Sequence, residues 1–277
     1  MGERPVAVMR PIDPTLFNPL QFQSRSLLSL CKSSMWSWFS ERLDISFPGL
    51  IREHHQSLVA VEADVDYLRP FGMFDSDWFQ VSVEQVRLRQ DNTVLEIFHQ
   101  FQADGGVFAK VRMLWRLLEL DGDAALTGVP GQLRGSVLKH LLPAEVDPGR
   151  EPRYVDAQVA LIEDEGERVA GAEYRFTLYR HLCEVADQWC FLEVPGLASE
   201  GRERLVDALV DDPLALRSGL GKPLQEVLVK LCCPFYLFDE GEVRTTTFIH
   251  HGNPVYIHRV INLTRDNRLA AVVIETF

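Results

Sequence analysis

The chain repeats one order of elements twice, and that repetition narrows the folds open to it more than any other feature. In the first half, Leu20, Leu27, Leu28, Leu30, Cys31, Met35, Trp38 and Phe39 recur at helical spacing, which predicts a long, largely buried helix over residues 16–43. Pro48-Gly49 reads as its stop. Residues 58–68 and 79–88 then alternate apolar and polar side chains, as half-buried strands do. Asp91-Asn92 turns the chain into a third strand, 94–101, and Asp104-Gly105-Gly106 turns it into a fourth, 107–117. Residues 6–9 read as an opening strand.

The second half reads in the same order. Residues 154–162 and 169–179 are expected as strands joined by Glu165-Gly166, 181–194 as a second apolar helix, and 200–209 as a shorter one. Segments 224–238, 242–249, 255–264 and 269–276 repeat the meander, with turns at Glu240-Gly241, at Gly252-Asn253-Pro254 and at Asp266-Asn267. Between the halves, residues 121–153 are rich in glycine and proline around one short amphipathic piece, 133–142. The division expected is therefore 1–122, a linker over 123–153, and 154–277. A long helix followed by an antiparallel meander is the hot-dog arrangement, in which a sheet wraps a helix. The fold expected is α+β, a tandem or double hot-dog. NTF2-like and lipid-cradle folds begin with several helices or place the longest one last, and neither matches this order.

With 46% hydrophobic and 25% charged residues the 277-residue chain is globular, and a net charge of −12 argues against a broad nucleic-acid surface. No window approaches the continuous apolar run of a membrane span and the N-terminus lacks a signal-peptide core, so a cytoplasmic protein without membrane association is expected. Five cysteines, Cys31, Cys183, Cys190, Cys232 and Cys233, form an odd set without a CxxC pair, so reduced thiols and no metal are expected.

Residues 61–70, ending Tyr67-Leu68-Arg69-Pro70, and residues 74–83 resemble acyl-CoA thioesterases of the hot-dog superfamily, where a strand ends in such a turn. Residues 181–193 follow a strand as the thioesterase segment entering the central helix does, with Asp187-Gln188 near the place of the usual Gly-His-Val-Asn. The size, the tandem layout and the ending 260–274 look more like the double hot-dog proteins of polyketide pathways, and most like the leinamycin-type acyltransferase/decarboxylase family. That resemblance implies processing of a malonyl-type thioester on a carrier protein through an acyl-tyrosine, and Tyr67 is the first half's only tyrosine.

A thioester site needs donors for the carbonyl, commonly the N–H groups opening a helix, and a carboxylate, histidine or tyrosine to handle a proton or acyl group. Asp187, with Glu184 and His181, lies where the second helix is expected to begin; helix capping accounts for the same residues. Tyr67 lies beside Asp64 and Asp66, although alternation puts the acids on the opposite face and an ordinary sheet tyrosine has the same appearance. Arg87, Arg89, Arg112 and Arg116 fall on strands as a patch for coenzyme A phosphates or an acidic carrier protein, or as an exposed sheet rim.

Other motifs are set aside. Ser33 and Ser34 have neither a GxSxG elbow nor a neighbouring base, so no serine nucleophile is expected. His250-His251, as adjacent strand residues, are expected on opposite faces and unable to share a metal, and His54-His55 read as solvated or turn-adjacent. Gly219-Leu-Gly-Lys-Pro223 lacks the residues of a P-loop, and no GxGxxG follows a strand. The function expected is acyl-thioester processing on acyl-CoA or acyl carrier protein, as thioesterase, acyltransferase/decarboxylase or dehydratase in secondary metabolism. No separate cofactor is implied, and two units in one chain allow a monomer or a homodimer. The alternatives are an acyl-binding or synthase-binding protein without turnover, and a polyketide cyclase or isomerase.

Overall fold

The computed structural model describes residues 6–89, 92–120, 128–132, 154–184, 186–209 and 216–277, and the chain forms two compact units, Met1–Asp147 and Pro148–Phe277. The expected amphipathic piece 133–142 and most of the expected linker lie outside the described residues. No described helix is long and apolar enough to cross a membrane.

In unit 1, β1 (Val6–Pro11) precedes α1 (Ser24–Leu43) and the short α2 (Phe47–Arg52), followed by β2 (Gln56–Tyr67), β3 (Trp78–Arg89), β4 (Val94–Ala103) and β5 (Gly106–Leu120). All pairings are antiparallel, in the order β1-β3-β4-β5-β2, and a short β6 (Gly128–Pro130) pairs with β5. Helix α1 packs on β1, β2, β3 and β5 through Leu27, Leu28, Cys31, Met35 and Phe39, as its apolar spacing predicts. It ends at Leu43, the expected bound, but the stop is Asp44 in the left-handed conformation and not Pro48, which instead opens α2, a position where its missing N–H costs nothing. Around the entry to α1, Phe22, Phe71, Phe79, Phe101 and Phe108 pack ring on ring, all buried.

Unit 2 departs from expectation at its start. Residues 154–162 belong to a helix, α3 (Tyr154–Glu165), because Val155, Val159 and Ile162 recur at i, i+4, i+7 and seat one stripe on the sheet. After β7 (Glu167–Thr177), the expected helix over 181–194 is instead two 3-10 turns around a tight loop, in which Asp187 is left-handed and Cys183 bridges Trp189. The central helix, α4 (Val194–Asp207), begins later, with Pro195 in its first turn. Then come β8 (Glu226–Leu231), β9 (Glu240–His250), β10 (Asn253–Asn262) and β11 (Arg268–Thr276), paired antiparallel in the order β7-β9-β10-β11-β8. Strand, helix and four strands thus occur in unit 2 with the same pairing order as in unit 1. Successive residues of β10 face opposite ways: Val255 and Ile257 pack under α3, and Tyr256 with Leu205 and Val206 of α4.

Helix α4 lies close on the sheet at Gly201, where an added Cβ would press into Thr245 Oγ1 and stand 3.2 Å from Val243 Cγ1. Helix propensity alone favours alanine over glycine by about 1 kcal/mol. The contact decides the sign: Gly201→Ala is expected to destabilise the protein by about 1–3 kcal/mol through overpacking, read as a lower urea midpoint at unchanged slope.

Candidate functional site

A groove of about 460 Å³ opens at the N-terminal end of α1, between residues 14–21 and residues 72–75. Its first wall is built by short-range hydrogen bonds. Asp13 accepts from Thr15 N at 2.8 Å and caps a 3-10 turn, and Asn18 Oδ1 accepts from the N–H groups of Leu20 and Gln21 at 2.9 and 2.8 Å. Gln23 closes the loop by donating Nε2–H to the Phe17 carbonyl. The second wall is a turn in which Gly72 N–H donates to Asp75 Oδ2 at 2.8 Å. Phe22 N–H donates to the Phe71 carbonyl at 3.1 Å and ties the walls together above the phenylalanine cluster.

Phe17, Leu20, Met73 and Phe74 make the groove mainly apolar, and Phe74 stands 92% exposed at its rim. Gln21 lines it at 3% exposure, and its Oε1 is buried without a hydrogen-bond partner among the described residues. An unmet buried amide oxygen costs about 1–3 kcal/mol, so a donor brought by a ligand would be rewarded. Asp75 is the groove's carboxylate. None of the lining residues is basic.

The residues singled out from sequence are taken unit by unit. Tyr67 ends β2 in the core of unit 1, its hydroxyl donating to the Phe22 carbonyl at 3.0 Å, one residue behind the groove wall. Arg87, Arg89 and Arg112 converge on the fully buried Glu96: Arg112 Nε lies 2.5 Å from Glu96 and its Nη1 2.8 Å from Glu62, while Arg89 Nε lies 2.6 Å from Glu96. Arg116 is half-buried on β5, four residues beyond Arg112. In unit 2, Asp187 is exposed and paired with Arg180 at 2.9 Å; it belongs to the loop before α4, not to a helix start. Glu184 is half-buried in that loop and His181 is exposed in the turn before it.

Two polar clusters that sequence reasoning missed lie between helix and sheet. In unit 1, Ser34 of α1 stands 3.1 Å from Nδ1 of His99 on β4, and both are buried. Burial pushes His99 down to a pKa of about 3, so it is neutral. Ser34 therefore has a neutral imidazole partner that no sequence order revealed. In unit 2, Glu275 of β11 takes hydrogen bonds from Arg202 and Ser199 of α4 and stands 3.4 Å from Nε2 of His258, whose Nδ1 meets Thr245 Oγ1 at 2.9 Å. Burial alone would raise the Glu275 pKa, but the Arg202 charge and His258 outweigh it and hold it at about 2. All five cysteines are free thiols.

No protein-family description matches the chain, and no curated protein matches it. Among solved structures it is similar to one described as an oleoyl thioesterase of Lactobacillus plantarum, with 11% identity, a TM-score of 0.71, and 99% of this chain matching 95% of that one. An acyl-ACP thioesterase of Bacteroides thetaiotaomicron (11%, TM-score 0.67) matches 98% of this chain over 96% of its own. A 12:0-ACP thioesterase of Umbellularia californica (10%, TM-score 0.66) matches 99% over 98%. At these identities the likeness is one of fold, and the fold is the hot-dog of the acyl-ACP thioesterases.

Glu275→Gln is expected to cost about 3–5 kcal/mol, because it leaves the Arg202 guanidinium buried without its counter-charge. With its folded pKa depressed from 4.5 to about 2, Glu275 contributes stability that is complete above pH 4.5 and lost as pH falls toward 2. The variant should flatten that acid limb of a stability-against-pH curve measured by urea titration.

Proposed function

We propose that the chain is an acyl-thioester-processing enzyme built as a tandem hot-dog, receiving an acyl group carried on coenzyme A or an acyl carrier protein. The observation that carries this reading is the groove at the end of α1, an apolar trough with one buried, unpartnered amide oxygen. Phe17, Leu20, Met73 and Phe74 suit an acyl chain or the methyl-bearing part of a pantetheine arm, and Gln21 Oε1, buried without a partner among the described residues, would gain a hydrogen bond by turning to an amide N–H of that arm. The absence of basic residues from the lining, together with Asp75, favours the neutral part of the carrier over its phosphates. In this reading Asp75 takes a proton from the attacking water, whose oxygen bonds to the acyl carbon; the C–S bond then breaks, and Asp75 returns the proton to the leaving thiolate, giving a carboxylic acid and a thiol.

Support for the substrate class comes from fold: three structures described as thioesterases match the chain end to end, two of them named for acyl-ACP. The setting in polyketide metabolism and the acyl-tyrosine route rest on the sequence resemblance, with Tyr67 as the acyl acceptor. A second reading, acyl binding without turnover, is favoured by the placement of His99 and His258, which are buried between helix and sheet and do not line the groove.

The test is a panel of acyl-CoA and acyl-carrier substrates followed by mass spectrometry. The enzyme reading expects turnover that Asp75→Asn lowers by about 10²–10⁴-fold, the range of general-base catalysis, while Gln21→Leu raises KM. Tyr67→Phe should abolish a covalent adduct on the acyl-tyrosine route and leave simple hydrolysis standing. Substrates bound but intact would support the binding reading; substrates neither bound nor changed would overturn both.

A further inference from the structure

We propose that Glu165, His250 and His251 of unit 2 form a site for a divalent transition-metal ion of the zinc class. Sequence periodicity sends the two imidazoles to opposite faces of a strand, and the structure corrects that expectation. Strand β9 ends at His250 and β10 begins at Asn253, directly opposite it. The two residues between, His251 and Gly252, have φ of 51° and 80°, the paired left-handed conformations of a two-residue hairpin turn. Alternation therefore stops at His250, and the turn swings the ring of His251 back until the two ring centroids are 4.0 Å apart.

Glu165 arrives from a different element. It is the last residue of α3, and the chain turns at once into β7, whose first residue, Glu167, is registered against Ile249 next to His250. Gly166 permits this tight exit from α3, since a Cβ there would stand 2.5 Å from the Ile162 carbonyl oxygen and 3.3 Å from Phe248 Cβ. Glu165 Oε2 consequently stands 3.8 Å from His250 Nε2, and one ligand atom from each of the three residues lies within 4.8 Å of the others.

Ligands at about 2.0–2.1 Å from a tetrahedral zinc ion are about 3.4 Å apart, so side-chain adjustment of an ångström or so closes the set. His250 Nε2 is buried and makes no hydrogen bond among the described residues, and coordination would satisfy it. Two imidazoles and one carboxylate suit zinc, cobalt or nickel, whereas calcium and magnesium take oxygen donors. A fourth position would remain for water. The neighbouring acid Glu163 is already engaged by Arg259 at 2.8 Å, which leaves Glu165 as the carboxylate of the set. A bound ion would fasten the end of α3 to the β9–β10 hairpin, and so stabilise unit 2.

The test is equilibrium dialysis of the full chain against Zn²⁺, with Co²⁺ as an optical probe. One saturable ion per chain is expected, with affinity falling by more than about tenfold in Glu165→Gln, His250→Asn and His251→Asn, since even outer partners of metal sites are worth that much. Asparagine suits the left-handed turn position, so His251→Asn should fold normally, and Zn²⁺ should raise the Tm of the parent chain but not of this variant. A Cys232→Ser/Cys233→Ser chain should bind as the parent does. No saturable binding, unchanged affinity in His251→Asn, or a thiolate charge-transfer band in the Co²⁺ spectrum would overturn the proposal.

Discussion

A helix wrapped by a sheet must bury one whole side, and any polar group on that side has to find its partner on the strands. Each unit meets this requirement with a pair that joins central helix to sheet: Ser34 with His99 in unit 1, and Arg202 with Glu275 in unit 2. The two histidines face the helix from corresponding strands, β4 and β10, which hold the same place in the two pairing orders. The chemistry has diverged around them. In unit 1 the partner is a hydroxyl and the histidine is neutral; in unit 2 Glu275 is kept ionised by an arginine, and Gly201 lets the helix settle against Thr245. These contacts tie each central helix to its sheet at a polar point within an otherwise apolar interface.

The groove exists because the loop before α1 and the turn after β2 meet above packed phenylalanines, with the Phe22 to Phe71 backbone bond as the tie. Its lining among the described residues is mainly apolar, with Asp75 as its carboxylate, and in the proposed reading it takes a neutral, chain-like ligand.

Much of unit 1 is legible in the sequence because its signals are long and regular: the spacing from Leu27 to Phe39, and the alternation of β2 and β3. Unit 2 misleads where signals are short. Tyr154 to Ile162 is apolar enough for a strand, and only the spacing of Val155, Val159 and Ile162 discloses the helix. The apolar run 181–194 is buried in part because its loop packs Trp189 on Phe235, not because it is helical. The site was the least legible. Gln21 and Asp75 are 54 positions apart and carry no motif. His99 and Ser34 meet only through the helix-on-sheet packing, and the pairing of His250 with His251 depends on a left-handed turn that strand periodicity does not contain.

The central claim is that an acyl-pantetheine ligand is held at the N-terminal end of α1. Hydrogen–deuterium exchange of the intact chain with and without a non-hydrolysable acyl-pantetheine thioether tests it most directly. The account predicts slowed exchange in peptides covering residues 14–23 and 71–75, and loss of that protection in Gln21→Leu. Protection confined to other segments, or equal protection in the variant, would contradict it.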